Sequence, residues 1–150
     1  MSHFSRAFVV VTGALLSPLA LAASLDMHKD PNCGCCSAWA EHMRDAGFEV
    51  RIHETADIGA VKRELGVPAS LGSCHTATLE TDAGRRYLIE GHVPAEQVAR
   101  LMEQNPDIEG LAVPGMPQGS PGMETGRVDE YAVLSWADGA ERAEVFARYP

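Results

Sequence analysis

The chain has 150 residues and carries 21 Asp and Glu against 12 Lys and Arg, a formal net charge of -9. A chain of this length holds one domain with an appendage, and its acidic balance offers no broad positive surface for nucleic acid. Apolar residues make up 45% and charged residues 22%, so the chain is globular rather than disordered. Four cysteines are too few for a disulfide-dense scaffold, yet three of them lie within four positions.

The N-terminus has the pattern of a secretory signal peptide over residues 1–22. Arg6 supplies the positive start, residues 7–21 form an almost uninterrupted apolar run, and an Ala-Leu-Ala triplet ends at Ala22. The alternative is a membrane anchor, but a run of about 15 apolar residues is short for a span. No later stretch is apolar enough to cross a bilayer. We therefore expect cleavage between Ala22 and Ala23 and export to the bacterial periplasm, an oxidising compartment.

The hydrophobic periodicity from Ala23 onward predicts four strands and three helices in the order β-α-β-α-β-β-α. Asp57 is placed to cap the second helix and Gly66 to end it. A hairpin signal, Asp82-Ala83-Gly84, joins the last two strands. The predicted strands are 25–28, 48–53, 76–79 and 86–89, and the predicted helices are 37–46, 58–65 and 94–104.

The composition changes after Pro106. Residues 113–123, here called the proline–glycine loop, contain three Pro and three Gly, a density that excludes helix and strand. Two further strands then flank Asp138-Gly139, a second hairpin signal. These strands are predicted at 131–136 and 142–146. The predicted division is therefore a domain at 23–106 and a C-terminal extension of loop and hairpin at 107–150.

The three clustered cysteines point to thiolate chemistry. Cys33 and Cys36 form a C-x-x-C at the start of a helix, where unpaired N–H groups and the helix dipole stabilise thiolates. Both disulfide exchange and soft-metal binding use thiolates, and the C-x-x-C alone does not separate them. The presence of Cys35 favours metal binding over disulfide exchange. A third thiol would scramble the products of disulfide exchange, whereas it can bridge metal ions. The alternative is a Cys33–Cys36 disulfide with bystander thiols.

The softness of the candidate sulfur ligands indicates that the metal is copper. Thiolate and thioether ligands together favour Cu(I), and zinc rarely takes thioether ligands. Met116 and Met123 close two Pro-Gly-Met repeats on the proline–glycine loop, where they are candidate ligands or part of a lid. Cys74 is a candidate fourth sulfur. Three histidines are candidate ligands or hydrogen-bonded neighbours of the site, namely His28, His75 and His92.

Five sequence motifs, in this order and spacing, resemble the CopG-type proteins, a bacterial family of exported proteins associated with copper resistance and long catalogued as a domain of unknown function. The motifs are Pro31-Asn-Cys-Gly-Cys-Cys36, Gly66-Val-Pro, Ser73-Cys-His-Thr76, Glu90-Gly-His-Val-Pro94 and Gly110-Leu-Ala-Val-Pro-Gly-Met-Pro117. The resemblance covers nearly all of residues 25–124.

This resemblance implies an α/β fold of the thioredoxin-like type with a C-terminal extension, and a thiolate-bridged site for several copper ions. In thioredoxin-like folds the loop before the third strand faces the C-x-x-C, which is the reason to expect Cys74 beside the other sulfurs. Thioredoxins carry a cis-proline in that loop and a Trp before the first Cys. In this chain Cys74 lies where the cis-proline would be, and Asn32 lies where the Trp would be. Both departures argue against simple disulfide exchange.

Three functions follow from these residues. The first is a periplasmic copper-resistance protein, a candidate copper oxidoreductase, that interconverts Cu(I) and Cu(II) with Cys33, Cys35, Cys36 and Cys74 as bridging ligands. The second is a copper chaperone with the same ligands and no redox turnover. The third is a thiol–disulfide oxidoreductase with Cys33 as nucleophile and Cys36 as resolving thiol. The expected partners of a monomeric chain are copper ions and a copper efflux or chaperone protein.

Overall fold

The computed structural model describes residues 23–138 and 142–150, so the predicted signal peptide lies outside the described residues. Seven strands and three helices are present in this part of the chain, with one turn of 3₁₀ helix at Ala69–Leu71. The strands are β1 Ser24–Lys29, β2 Glu49–Glu54, β3 His75–Glu80, β4 Arg86–Glu90, β5 Gly110–Ala112, β6 Tyr131–Trp136 and β7 Glu144–Tyr149. The helices are α1 Gly34–Asp45, α2 Ile58–Leu65 and α3 Ala95–Gln104. Within the described ranges, no helix has the length and apolar character to span a membrane.

All seven strands form one sheet in the order β2-β1-β3-β4-β5-β6-β7. β1 runs parallel to β2 and β4 parallel to β5, and the remaining neighbours are antiparallel. The α/β class is confirmed, and the elements from β1 to α3 follow the predicted order. The register places Lys29, the last residue of β1, opposite His75, the first residue of β3. The loops that leave β1 and enter β3 therefore meet at one edge of the sheet.

The strand β5 was not predicted from the sequence. It has three residues and pairs with β4 on one side and β6 on the other, so its neighbours rather than its own pattern make it a strand. β5 begins at Gly110. Only glycine fits at this position, because a Cβ there would overlap the carbonyl of Leu88 and lie 2.6 Å from the Trp136 ring. Through β5, the hairpin of β6 and β7 continues the same sheet.

Two other boundaries differ from the predicted ones. α1 begins at Gly34 rather than Ser37, because the chain becomes helical directly after Cys33, whose backbone is extended. β7 spans Glu144–Tyr149 rather than 142–146, and Gly139 of the predicted turn lies outside the described residues. The caps of α2 are as predicted: Asp57 accepts a hydrogen bond of 2.8 Å from the Ala60 N–H, and Gly66 is left-handed.

The main core lies between the sheet and helices α1 and α3. Its largest buried side chains include Trp39, Met43, Leu25 and Leu101. The apolar side chains of α2 are only half-buried, and a smaller cluster around Leu88 and Trp136 covers the other face of the sheet. The main core is what fixes the N-terminus of α1 against the sheet.

The segment between β4 and α3, residues 91–94, is fully buried and tied to α1. The Trp39 indole N–H donates to the Val93 carbonyl at 2.9 Å. His42 Nε2 accepts a hydrogen bond of 3.1 Å from the Ala95 N–H, one of the unpaired donors at the start of α3. These two contacts hold residues 91–94, here called the connector, beside the first turns of α1.

Candidate metal centre

The four cysteines of the chain meet at the edge of the sheet where β1 ends and β3 begins. Cys33 is the N-cap of α1, Cys35 and Cys36 lie in its first turn, and Cys74 directly precedes β3. Their sulfur atoms all lie within 4.8 Å of one another. Cys36 is buried and the other three are half-buried. This set, here called the cysteine cluster, is brought together although Cys74 is distant in sequence.

Cys33 and Cys36 are joined by a disulfide, with their Cα atoms 5.4 Å apart. Cys35 and Cys74 are free thiols, and the Cys35 sulfur lies 3.5 Å from the Cys33 sulfur. The C-x-x-C is thus oxidised, as in the alternative of a Cys33–Cys36 disulfide with two bystander thiols. Two electrons and two protons must be added before Cys33 and Cys36 can act as thiolate ligands.

Two imidazoles face the free thiol of Cys74. Its sulfur lies 2.9 Å from His92 Nε2 and 3.3 Å from His75 Nδ1. The second ring nitrogen of His92 is 2.7 Å from the Pro121 carbonyl, which can only accept, so the proton of a neutral His92 is on Nδ1. His92 Nε2 therefore presents its lone pair to Cys74 and accepts the S–H.

Burial determines the protonation states of Cys74, His75 and His92. Desolvation raises the pKa of Cys74 to about 12, and the charge of nearby Cys35 adds to the rise. Both histidines are fully buried, which lowers the pKa of His75 well below its ordinary value and lowers that of His92 as well. At neutral pH the group is a thiol beside two neutral imidazoles. A metal ion that binds here would displace the Cys74 proton.

A buried ion pair supports the loop that carries Cys74. Glu90 is fully buried, and its Oε1 accepts from the Ser73 N–H at 2.7 Å and from the Lys62 ammonium. The same ammonium donates to the carbonyls of Ser73, at 3.0 Å, and His75, at 3.1 Å. Lys62 and Glu90 together therefore fix the backbone on both sides of Cys74. This pair was not predicted from the sequence, although a carboxylate at the end of the apolar run Tyr87-Leu-Ile in β4 was a visible signal.

We expect Glu90→Gln to lower the free energy of unfolding by about 2 kcal/mol, because it replaces charged hydrogen bonds with neutral ones. It also leaves the ammonium of Lys62 without a counter-charge. Urea unfolding followed by circular dichroism measures the change. Glu80→Gln is the control, since Glu80 is an exposed acid on the neighbouring strand. Equal stabilities of the two variants would contradict a supporting role for Glu90.

The proline–glycine loop is attached to the site at two points. At one point the Gly115 N–H donates to the Gly72 carbonyl at 3.1 Å, and the Ser73 hydroxyl donates to the Gly115 carbonyl. At the other, Pro121 is bound to His92, and Gly122 packs so closely that a Cβ would lie 2.6 Å from the Cys35 carbonyl. The loop therefore borders both Cys74 and Cys35.

Each methionine of the Pro-Gly-Met repeats directly follows one of these attachment points. Met116 is 52% exposed, whereas Met123 is half-buried. Both side chains lie on the loop that borders the cysteine cluster. Their roles as ligands or lid stay predictions.

His28 is a candidate ligand that the structure does not bring to the cysteines. It lies on the opposite face of β1 from the buried residues Leu25 and Met27. Its ring stacks on His53 with the centroids 4.9 Å apart. Partial burial, with the charge of His53, lowers the pKa of His28. His28 belongs to neither of the two groups of close ligand atoms found among the described residues.

Comparisons with known proteins place the chain among related sequences and structures. The family described as "Protein of unknown function, DUF411" matches residues 71–123, which include Cys74, His75, His92 and both loop methionines. A solved structure titled "Copper resistance protein copG- Form 2" is 46% identical, with a TM-score of 0.78, over 87% of this chain and 100% of that chain. A second, titled "Copper resistance protein copG- Form 1", is 46% identical with a TM-score of 0.77, over 87% of this chain and 99% of that one. No curated protein matches the sequence.

Proposed function

The chain belongs to the CopG family of copper-resistance proteins, and we propose that it binds copper through the cysteine cluster. The observation that carries this proposal is the convergence of four sulfurs within 4.8 Å of one another. Thiolate donors favour Cu(I), and imidazole donors suit copper more generally. The residues present therefore fit the metal named in the titles of the related structures.

The site we propose holds several copper ions through shared sulfurs. A metal–sulfur bond of about 2.3 Å lets one ion link two sulfurs up to about 4.6 Å apart, which is close to the spacing within the cluster. Cys33, Cys35, Cys36 and Cys74 would be the bridging ligands, once a thiol reductant has opened the disulfide. His75 and His92 would add nitrogen donors beside Cys74. Met116 and Met123 would be outer ligands or a cap.

We propose that the bound copper is interconverted between Cu(I) and Cu(II), each ion giving one electron to, or taking one electron from, an external redox partner. Two features support this over storage alone. Sulfur and nitrogen donors lie side by side at Cys74, and such a mixed set accommodates both oxidation states. The proline–glycine loop borders the site and would limit the access of water and oxygen, which tunes the potential. A chaperone without redox turnover would use the same ligands.

The disulfide favours one other function, thiol–disulfide exchange at Cys33 and Cys36. Two observations weigh against it. The free Cys35 sulfur lies 3.5 Å from Cys33, where it would compete for any mixed disulfide. None of the peptide bonds among the described residues is cis, and the position before β3 is Cys74. Copper binding explains all four cysteines, whereas exchange explains two.

We also propose that residues 23–106 form a thioredoxin-like domain and residues 107–150 its extension. The β2-β1-β3-β4 order with antiparallel β3, and the C-x-x-C at the start of α1, support this assignment. The predicted signal peptide at 1–22 supports export to the periplasm, and we propose that the chain is a monomer there. There a copper efflux or chaperone protein would be its partner.

Metal analysis of protein purified from copper-supplemented cells tests the proposed function. We expect a copper-to-protein ratio above about two after reduction of the disulfide, because four sulfurs that bridge can hold more ions than the two they would hold in unshared pairs. A redox titration of the loaded protein then separates copper cycling from a chaperone that holds only Cu(I). A ratio of zero in the reduced protein would refute copper binding.

A further inference from the structure

Two histidines lie side by side on the face of the sheet that turns away from the main core. His28 on β1 is the register partner of His53 on β2, the strand at one edge of the sheet. Their rings are stacked with the centroids 4.9 Å apart. Neither histidine belongs to the groups of close ligand atoms at the cysteines, so the metal centre leaves this pair unused.

A carboxylate orients the ring of His53. His53 Nε2 lies 2.8 Å from Asp26 Oδ1, and the Arg51 guanidinium donates to both oxygens of Asp26, at 3.0 and 2.6 Å. Arg51 and His53 hold the pKa of Asp26 well below its ordinary value, so this carboxylate is ionised and only accepts. The proton of a neutral His53 is therefore on Nε2, and Nδ1 carries the lone pair. A carboxylate on the outer nitrogen is typical of metal-bound histidines.

A buried hydroxyl lies on the other side of His28. Thr76 on β3 is the register partner of His28, and it is fully buried with no hydrogen-bond partner for its Oγ1 among the described residues. Side chains directly opposite each other on paired strands are within reach. Thr76 Oγ1 can therefore accept the N–H of His28 while the other ring nitrogen binds an ion. Desolvation by burial and the charge of His53 lower the pKa of His28, so its ring is neutral at neutral pH.

The spacing of the two rings suits a shared ion. Bonds of about 2.0 Å at a right angle place two imidazole nitrogens about 2.8 Å apart. The ring centroids are 4.9 Å apart, so rotation of the rings about their side-chain bonds brings one nitrogen of each to this separation. The side chain of His53 is 49% exposed, which leaves room for water at the other positions of the ion. Nitrogen and oxygen donors in a square arrangement, without sulfur, favour Cu(II) over Cu(I).

We infer that His28 and His53 bind one Cu(II) ion at the edge of the sheet, with water as the remaining ligands. Asp26 and Thr76 are the hydrogen-bond partners of the two ligand rings and do not touch the ion. The ion binds as Cu(II) and stays Cu(II), so no electron is transferred at this site. The inference rests on imidazole chemistry and not on the cysteine cluster, whose soft sulfurs favour Cu(I). The chain thus has a separate place for the oxidised form of the metal.

The test is Cu(II) binding by the full chain with Cys35→Ser and Cys74→Ser, in which the Cys33–Cys36 disulfide is closed. Alkylation and mass measurement first verify that no free thiol remains to bind or reduce the ion. Electron paramagnetic resonance during a Cu(II) titration then counts the bound ions and their nitrogen ligands. We expect one ion per chain with about two nitrogen ligands, and no binding would overturn the inference. Because two sulfurs of the cysteine cluster are absent here, this result is independent of copper binding by the reduced wild-type chain.

Substitution of the two histidines in the same background identifies the ligands. We expect His28→Ala and His53→Ala each to weaken Cu(II) binding by about 10-fold or more and to remove the signal of one nitrogen ligand, since loss even of outer partners costs about 10–100-fold. Glu80→Gln is the control for Cu(II) held by exposed acids, because Glu80 is an exposed acid on β3. His53 is exposed, so His53→Ala keeps the test valid if His28→Ala does not fold. Unchanged affinity and nitrogen signal in a folded His53→Ala variant would overturn the assignment.

Discussion

Gly91→Ala is expected to lower the free energy of unfolding by about 2–5 kcal/mol, the sum of a left-handed backbone penalty and the overpacking of a filled site. Gly91 has a φ of +70°, where an L-residue is strained. A Cβ at this position would overlap the Ser73 hydroxyl and lie 2.5 Å from the Ser73 Cβ and 2.7 Å from the Val113 carbonyl. The surrounding atoms are backbone and a short side chain, so they cannot move aside at low cost.

The functional consequence of this substitution follows from what Gly91 touches. Ser73 precedes Cys74, and His92 follows Gly91, so a displacement at Gly91 separates the thiol from its imidazole. Val113 begins the proline–glycine loop, and its displacement would disturb the attachment of that loop as well. We therefore expect weaker copper binding even in the fraction of Gly91→Ala that is folded.

Gly84→Ala is the matched control for this prediction. Gly84 has a φ of +74° in the turn between β3 and β4, and a Cβ there would have nothing within 4 Å. The control therefore incurs the backbone penalty of about 1–2 kcal/mol without the overlap. Chemical unfolding of both variants measures the difference. Equal losses of stability in the two variants would show that close packing against Ser73 is not the reason for glycine at position 91.

The helices and the hairpins were largely predictable because their signals are local. The carboxylate of Asp57 and the left-handed Gly66 act within one turn of α2, and both are read directly from the sequence. β6 has its predicted bounds. The start of α1 was misplaced by three residues, because Gly34 and Cys35 have weak helix preference. β5 has no pattern of its own and depends on β4 and β6.

The site was predictable in proportion to how close its residues are in sequence. One helical turn brings Cys33, Cys35 and Cys36 together. Cys74 joins them through the antiparallel pairing of β1 and β3, a long-range contact that only a resemblance to a known family could suggest. The partner that orients His92 is the carbonyl of Pro121, and a backbone carbonyl leaves no trace in residue identity. Contacts of this kind are found only once the chain is folded.

The same fold leads us to expect that Cys74 is the most consequential cysteine for metal binding. Its sulfur is the only ligand atom common to the cysteine cluster and to the group formed with His75 and His92. We therefore expect Cys74→Ser to lower the affinity of the reduced chain for copper by about 100-fold or more, and to leave fewer than half of the wild-type copper ions bound. A serine oxygen is hard and weakly acidic, so it does not replace a bridging thiolate.

Two measurements make the Cys74→Ser prediction decisive between functions. Copper per chain is determined by metal analysis of reduced protein, and thiol–disulfide exchange by the reduction of insulin disulfides. A copper protein loses more than half of its copper in Cys74→Ser and reduces insulin in neither form. An oxidoreductase that uses Cys33 and Cys36 would reduce insulin in both, since neither thiol is altered. Thr78→Ser, at a half-buried position on β3, controls for disturbance of the strand. If Cys74→Ser keeps the full copper complement, Cys74 is not a ligand and the four-sulfur cluster is wrong.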